Sequence, residues 1–353
     1  MTTSVSGSAV ITVQLAEHAP TGWNDYLSRF DYDGFHLRSE WGNVFRSALR
    51  HQTFYVWASE GGRIVGVLPL AFVSGPIFGR FLCSQPYLNT GGVLADTPDI
   101  AGQLIDRAVR LADELNVRHL ELRHEHPVHH DRLNATVTEK VHMRLPLPST
   151  SNELWEGLKS KVRSQIKKPR NDQALTVAFG RQDQLQTFYD IFCRNMRDLG
   201  TPPFPKSLFG GMLNEFGDAA EICTVSFEGR PVASGFLLHG PGTTLIPSAS
   251  ALREYNRTSC NMLMYWHVLE RSVERGQACF DFGRSSVDAG TYKFKQQWGC
   301  IEQPAVWQYC SRHGSISDAR PNSGKFDLMI AAWQKLPVWF TKLIGPTIVR
   351  GIP

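Results

Sequence analysis

The pattern of apolar and polar positions repeats itself at two places along the chain. "FYVWASEGGRIVGVLPLAF" (54–72) and "AEICTVSFEGRPVASGFLLH" (220–239) each read as a pair of strands around a tight turn, at Gly61-Gly62 and at Glu228-Gly229. The same short pattern follows each turn, Gly62-Arg63-Ile64-Val65 and Gly229-Arg230-Pro231-Val232, 167 positions apart. A helical period then takes over. One helix is expected from about Asp99 to Leu115, running through Asn116 into the strand "HLEL". Another is expected from about Asn261 to Arg275, running through Gly276 into "CFDF". Leu120-Glu121-Leu122 then matches Phe280-Asp281-Phe282 at a spacing of 160. Two similar spacings in the same order predict an internal duplication, and the mixture of strands and helices predicts an α+β (mixed α/β) fold.

Between the repeats lies "TSNELWEGLKSKVRSQIKKPRN" (150–171), which reads as one helix opened by a Thr150/Glu153 capping box and stopped at Pro169. Trp155, Leu158, Val162 and Ile166 form its apolar stripe. Lys159, Lys161, Arg163, Lys167, Lys168 and Arg170 put six cations between 159 and 170 with no acid among them. A merely solvated face usually collects i,i+4 ion pairs, so this stretch reads as a candidate anion-binding surface, with the solvated face as its alternative. The last segment, "FDLMIAAWQKLPVWFTKLIGPTIVRGIP" (326–353), is apolar with sparse cations and two prolines, Pro337 and Pro346. It reads either as a docking segment on the body or as an interfacial anchor, with Trp333, Trp339 and Phe340 beside Lys335 and Lys342.

Composition narrows the function classes. The 353 residues suit two domains, and 42% hydrophobic with 20% charged content is that of a soluble globular protein. A net charge of +4 tolerates an anionic substrate without demanding nucleic acid. The seven cysteines are scattered singly, which argues against a disulfide framework and fits a reducing compartment. The N-terminus lacks a secretory pattern and no apolar run is long enough to span a bilayer, so the expected location is cytoplasmic.

The stretch "FDFGRSSVDAGTYKFKQQWG" (280–299) carries the candidate chemistry. Strand alternation puts Phe280 and Phe282 on one side and Asp281 on the other. Gly283 would let Arg284 turn toward a cleft, and a loop from Gly290 would return Lys295 to it. No Gly-x-Ser-x-Gly elbow and no Cys/His pair supports a covalent intermediate. Histidines cluster only in "RHEHPVHHD" (123–131), which lacks metal-ligand spacing, so no metal is expected.

These pieces together resemble the FemAB-like branch of the GNAT acyltransferase superfamily, and within it the FemAB-related proteins associated with PEP-CTERM/exosortase systems. In the first half the matching stretches are "VGVLPL", "FGR", "PYLNTGG" and "ELR". In the second they are "KVRSQIKK", "MRDLGTPPFPK", "FDFGRSS" and "GTYKFKQQWG", the last two being the most specific. The resemblance runs over roughly residues 8 to 310 and leaves the tail unmatched.

The resemblance implies tandem duplicated GNAT-like domains: a first over 1–148, the basic helix with a second, catalytic domain over 149–312, and a tail over 313–353. Fem-type enzymes move an aminoacyl group from aminoacyl-tRNA onto an amine of a peptidoglycan precursor. The implied activity here is N-acyl transfer by direct aminolysis to an envelope or exopolysaccharide precursor. That chemistry passes through a tetrahedral oxyanion and rewards a fixed cation. By similarity Phe294 and Lys295 fall on the family's Phe-Lys pair, with Arg284 beneath them, as the catalytic set. Substrate contacts are expected at Asp281, Tyr292, Lys159, Arg163, Lys167, Arg197 and Asn261. The stretch "ALREYNRTSCNMLMYW" (251–266), where a coenzyme-A enzyme keeps a glycine loop for the pyrophosphate, has no glycine; coenzyme A is disfavoured and no cofactor is expected. The partners implied are an aminoacyl-tRNA or other acyl donor, the precursor as acceptor, and peripheral contact of the tail with the inner membrane face. Two alternatives stand beside this reading: an N-acyltransferase fed by acyl-CoA or an acyl carrier protein, and a non-catalytic binder of RNA or anionic glycan.

Overall fold

Both hairpins form where the sequence places them, because their turns need backbone that glycine supplies. Gly61 and Gly62 have φ of 57° and 80°, and Glu228 and Gly229 have 47° and 75°. Two consecutive positive φ values make the tight turn whose twist matches that of the flanking strands. The computed structural model describes residues 10–30, 34–75, 78–312 and 323–352. The reading of the N-terminus as lacking a secretory pattern rests in part on residues 1–9, which lie outside that range.

In chain order the strands are β1 (Ile11–Ala16), β2 (Gln52–Glu60), β3 (Arg63–Gly75), β4 (Gly79–Cys83), β5 (Leu94–Ala95), β6 (His119–His124), β7 (Ala135–Val137) and β8 (Lys140–Pro146). They continue as β9 (Leu175–Gly180), β10 (Ala220–Phe227), β11 (Arg230–His239), β12 (Thr243–Ala251), β13 (Cys279–Ser286), β14 (Ile301–Pro304) and β15 (Val306–Ser311). The helices are α1 (Trp23–Leu27), α2 (Ser39–Leu49), α3 (Pro98–Glu114), α4 (Ser151–Gly157), α5 (Ser160–Arg170) and α6 (Leu185–Leu199). Then come α7 (Lys206–Glu215), α8 (Cys260–Glu274), α9 (Gly290–Gln296), α10 (Ser323–Gln334) and α11 (Val338–Val349).

Two sheets result. The first runs β1-β2-β3-β4-β6-β15-β7, with β5 beside β3; the second runs β9-β10-β11-β12-β13-β8-β14. Position by position these are the same sheet. The fourth and fifth strands are the parallel pair in each, Leu82 facing Leu120 in the first and Thr244 facing Phe280 in the second. A parallel step requires a crossover, and the matched helices α3 and α8 supply it. The register shifts of the two hairpins also correspond, at Ala58/Ser59 and Val225/Ser226. The duplication expected from the two spacings is therefore present in the strand order. α3 seals the first sheet with Ile100, Leu104 and Ile105, and α8 seals the second with Leu263, Trp266 and Leu269.

One arrangement was not expected. The sixth strand of the first sheet is β15, from late in the chain, and the sixth strand of the second is β8, from before the basic helix. Each half lends the other a strand.

Two expected elements differ. The basic segment is two helices, because Leu158 adopts extended backbone (ψ 142°) and buries its side chain between them, and Pro169 lies inside the second helix. The expected loop "GTYKFK" is the helix α9, whose glycine sits at its first position and whose Tyr292 and Lys295 share the buried face. Spacing of three residues, not the glycine, decides this segment.

The tail residues from 333 to 351 pack on the body. Arg197 donates to the Leu336 carbonyl (2.9 Å), Gln334 to the Asp198 carbonyl (3.1 Å), and Tyr87 Oη to the Arg350 carbonyl (2.8 Å). Gly351 lies so close to Gly75 that a Cβ on it would stand 2.8 Å from the Gly75 Cα. Trp333 is buried, while Leu328, Met329, Trp339 and Leu343 face outward. Among the described residues no helix is long and apolar enough to cross a membrane.

Candidate active site

The end of β13 is built as its sequence suggests. Phe280 and Phe282 are buried in the core of the second half, and Asp281 points the other way, where its carboxylate receives Arg144 Nε (3.2 Å) and the Gly283 amide (2.6 Å). Gly283 has φ 75°, and the ladder to β8 slips between Asp281 and Arg284. A residue with a Cβ is strained there, so glycine is what lets the strand re-aim Arg284.

Lys295 arrives from α9. Its ammonium donates to the carbonyls of Gly283 (3.2 Å) and Arg284 (3.0 Å), which ties the helix to the kinked strand end. Burial pushes the ammonium down to about 8, only partly opposed by Asp281. Phe294 packs against Tyr265 at 4.9 Å, on the core side of the helix. Tyr292 donates to Glu302 (2.6 Å).

Arg284 lies at the seam between the sheets. Its Nε donates to Asn89 Oδ1 (3.0 Å), and its guanidinium lies 3.6 Å from the ring centre of Trp307, whose own Nε1 donates to the Asn89 carbonyl (3.1 Å). Burial and then the nearby Arg123 push Arg284 down to about 9. Arg123 stands 4.0 Å from the same ring centre, fully buried and paired with Glu121 at 2.8 Å. Burial alone would raise Glu121, but Arg123 outweighs it and holds the carboxyl below the usual range.

A second ion-pair cluster closes the seam from the side. Arg144 on β8 reaches Glu125, just after β6, as well as Gln303 (2.6 Å) and Asp281. Beside it His142 is 1% exposed and, among the described residues, neither of its ring nitrogens has a partner.

The other expected substrate contacts lie elsewhere. Lys159, at the cap before α5, and Lys167 on α5 are exposed, and Arg163 is engaged by Glu156 (3.3 Å), so part of that charge is paired after all. Arg197 is committed to Asp198 and the tail. Asn261 sits half-buried in the first turn of α8. Among the described residues no group of His, Cys, Asp or Glu side chains converges as a metal site.

Sequence reading missed Trp307, His142, Arg144 and Glu125. Trp307, His142 and Arg144 reach the site on the two traded strands, and Glu125 reaches it through its ion pair with Arg144.

Residues 157–296 match the model of the "Acetyltransferase (GNAT) domain", a span that holds Arg284, Phe294 and Lys295. FemX superimposes with a TM-score of 0.65 at 12% identity, covering 90% of this chain and all of that one. The fold is that of a tandem GNAT protein. The tandem GNAT protein of the clavulanic acid biosynthesis pathway gives 0.55 at 12% identity over 86% of this chain and 100% of its own. The C-terminal domain of a putative lysylphosphatidylglycerol synthetase from Agrobacterium fabrum gives 0.53 at 12% identity over 88% and 94%. No curated protein sequence matches the chain.

Proposed function

We propose that the second half of this GNAT protein transfers an acyl group, in the Fem manner an aminoacyl group, to an amine by direct aminolysis. The observation that carries this reading is Lys295. Its ammonium is buried, fixed by two carbonyls and adjacent to Arg284, where a cation can meet an oxyanion without reorganising. The amine attacks the acyl carbonyl, the C–N bond forms, Lys295 stabilises the oxyanion, and the donor's acyl bond breaks as its oxygen takes up the proton lost by the amine. Phe294 packs α9 in place. The expected acceptor is an envelope or exopolysaccharide precursor, in line with the resemblance to exosortase-associated proteins. The neighbours named FemX and lysylphosphatidylglycerol synthetase bear on an aminoacyl donor and an envelope acceptor.

Coenzyme A is a weaker donor candidate, because the connection before α8 is a 3-10 turn, Arg253–Thr258, followed by Ser259 and not by a glycine loop. The exposed cations between residues 159 and 170, at the start of and along α5, suit the phosphates of a tRNA donor. The outward Leu328, Met329, Trp339 and Leu343 suit peripheral membrane contact; buried Trp333, half-buried Phe340 and Lys342, which is paired with Asp190, do not contribute to that face.

The test offers purified protein bulk tRNA charged with labelled amino acids, or labelled acetyl-CoA, together with an envelope-precursor extract. Label transferred from tRNA to an amine and lost in Lys295→Met supports the reading. Transfer from acetyl-CoA alone replaces it with the coenzyme-A alternative, and transfer from neither leaves the binder.

A further inference from the structure

The charge at the seam does not balance. Asp281 and Glu125 both engage Arg144, and Glu121 engages Arg123. Arg284 is left with a single side-chain hydrogen-bond partner among the described residues, the neutral Asn89 side chain, which takes only its Nε. Its two terminal nitrogens, the fork that grips oxyanions, are uncommitted among the described residues. The stacking on Trp307 and the Trp307–Asn89 hydrogen bond nevertheless fix the plane of that fork. A guanidinium desolvated against an indole, next to a second guanidinium, is held in an arrangement that an anion would relieve.

His142 adds a second, independent sign. It stands opposite Arg284 in the β8–β13 ladder and so faces the same side of the sheet. It is buried, and among the described residues both ring nitrogens lack partners, which is costly for an imidazole unless a ligand group meets it. Burial lowers its proton affinity, so the ring is neutral and offers one N–H.

We propose that Arg284 and His142 form a binding site for a substrate oxyanion group, a carboxylate or a phosphate, gripped by the Arg284 fork in the plane set by Trp307. Asn89 and Trp307 are its positioning residues. The proposal deepens the acyl-transfer reading by naming the chemistry of the substrate: one reactant carries an anionic group close to the reacting carbonyl, and the nearby Lys295 ammonium serves the same field.

Calorimetry with inorganic phosphate and with acetate, at low ionic strength and against a chloride control, tests it. The intact protein should bind one probe or both saturably; phosphate alone assigns a phosphate group, acetate alone a carboxylate. Arg284→Gln should weaken binding about 10- to 100-fold, the range for losing a charge-assisted hydrogen-bond pair. His142→Phe, which keeps the bulk and removes both nitrogens, should weaken it by a smaller factor. Should Arg284→Gln fail to fold, Arg284→Lys keeps the charge, loses the fork and should still weaken binding. Absence of saturable binding overturns the site. So does binding that survives Arg284→Gln and vanishes when Lys159, Arg163 and Lys167 become glutamine, because the anion would then sit on the basic helix. The measurement reads no turnover. Intact anion binding in a protein that transfers no acyl group would count against the proposed function and leave the site standing.

Discussion

The two strand ends β6 and β13 occupy the same place in matching sheets, yet their charges are handled in opposite ways. At β6 the cation Arg123 is buried and closed off by Glu121, with the Cys83 thiol 3.3 Å from that same carboxylate. At β13 the acid Asp281 is drawn away to Arg144, and Arg284 and Lys295 keep charges that no carboxylate neutralises at contact distance among the described residues. Glycine makes the difference possible. Arg123 continues its strand, whereas Gly283, at the corresponding position, kinks β13 and delivers the next residue to the seam. Duplication thus gave two equal frames, one whose cation is closed off by a carboxylate and one whose cations are not.

The comparison is most easily broken by removing one partner from each side. Glu121→Ala strands a fully buried arginine and should cost about 3–5 kcal/mol of stability, whereas Arg284→Ala should cost about 1 kcal/mol or less. Urea denaturation midpoints of the two variants decide this, and equal losses would mean that both ends are structural. Lys295→Met should lower turnover by about 10²–10³, as loss of one oxyanion donor does. It should also cost about 1–3 kcal/mol, because the Gly283 and Arg284 carbonyls lose their donor. Rate and stability measured on the same preparation separate the two effects; a stability loss with unchanged turnover would reduce Lys295 to a clamp.

A pH series sharpens the contrast further. The Lys295 proton leaves at about pH 8 in the folded chain and in the ordinary lysine range when unfolded. Above pH 8 the unfolded state therefore binds more protons, so this residue's contribution to stability rises with pH up to the ordinary range. Turnover that needs the ammonium falls over the same interval. Comparing wild type with Lys295→Met from pH 7 to 10 should show turnover and stability differences moving in opposite directions. The smallest effect is expected on the basic helix α5. Changing Lys159, Arg163 and Lys167 to glutamine should weaken tRNA binding a few-fold at low salt and hardly at all at physiological salt, where exposed charges are screened within about 8 Å. Filter binding across salt concentrations reads it.

What the sequence made legible was local. The hairpin turns announce themselves because a positive φ at Gly62 and Gly229 selects residue types directly, and the 167 and 160 spacings carried the duplication from there. The kink at Gly283 was legible for the same reason. The break at Leu158 was hidden because its side chain fits the helical stripe whether or not the backbone stays helical. "GTYKFK" was misread because glycine at a helix start looks like glycine in a loop. Trp307 and His142 escaped altogether. Their importance depends on which strand lies beside which, and β-pairing between residues far apart in sequence leaves no local mark.

The traded strands also bear on how such a chain holds together at all. Were each half a separate molecule, giving up its own sixth strand to receive its partner's, the pair would be a domain-swapped dimer whose integrity falls with dilution. Joining the halves through residues 149–174 makes the exchange intramolecular. The concentration that each half experiences of the other is then set by the length of the connection and not by expression level. His142 and Trp307, carried on the two traded strands, are kept in register by that tether even when the protein is scarce.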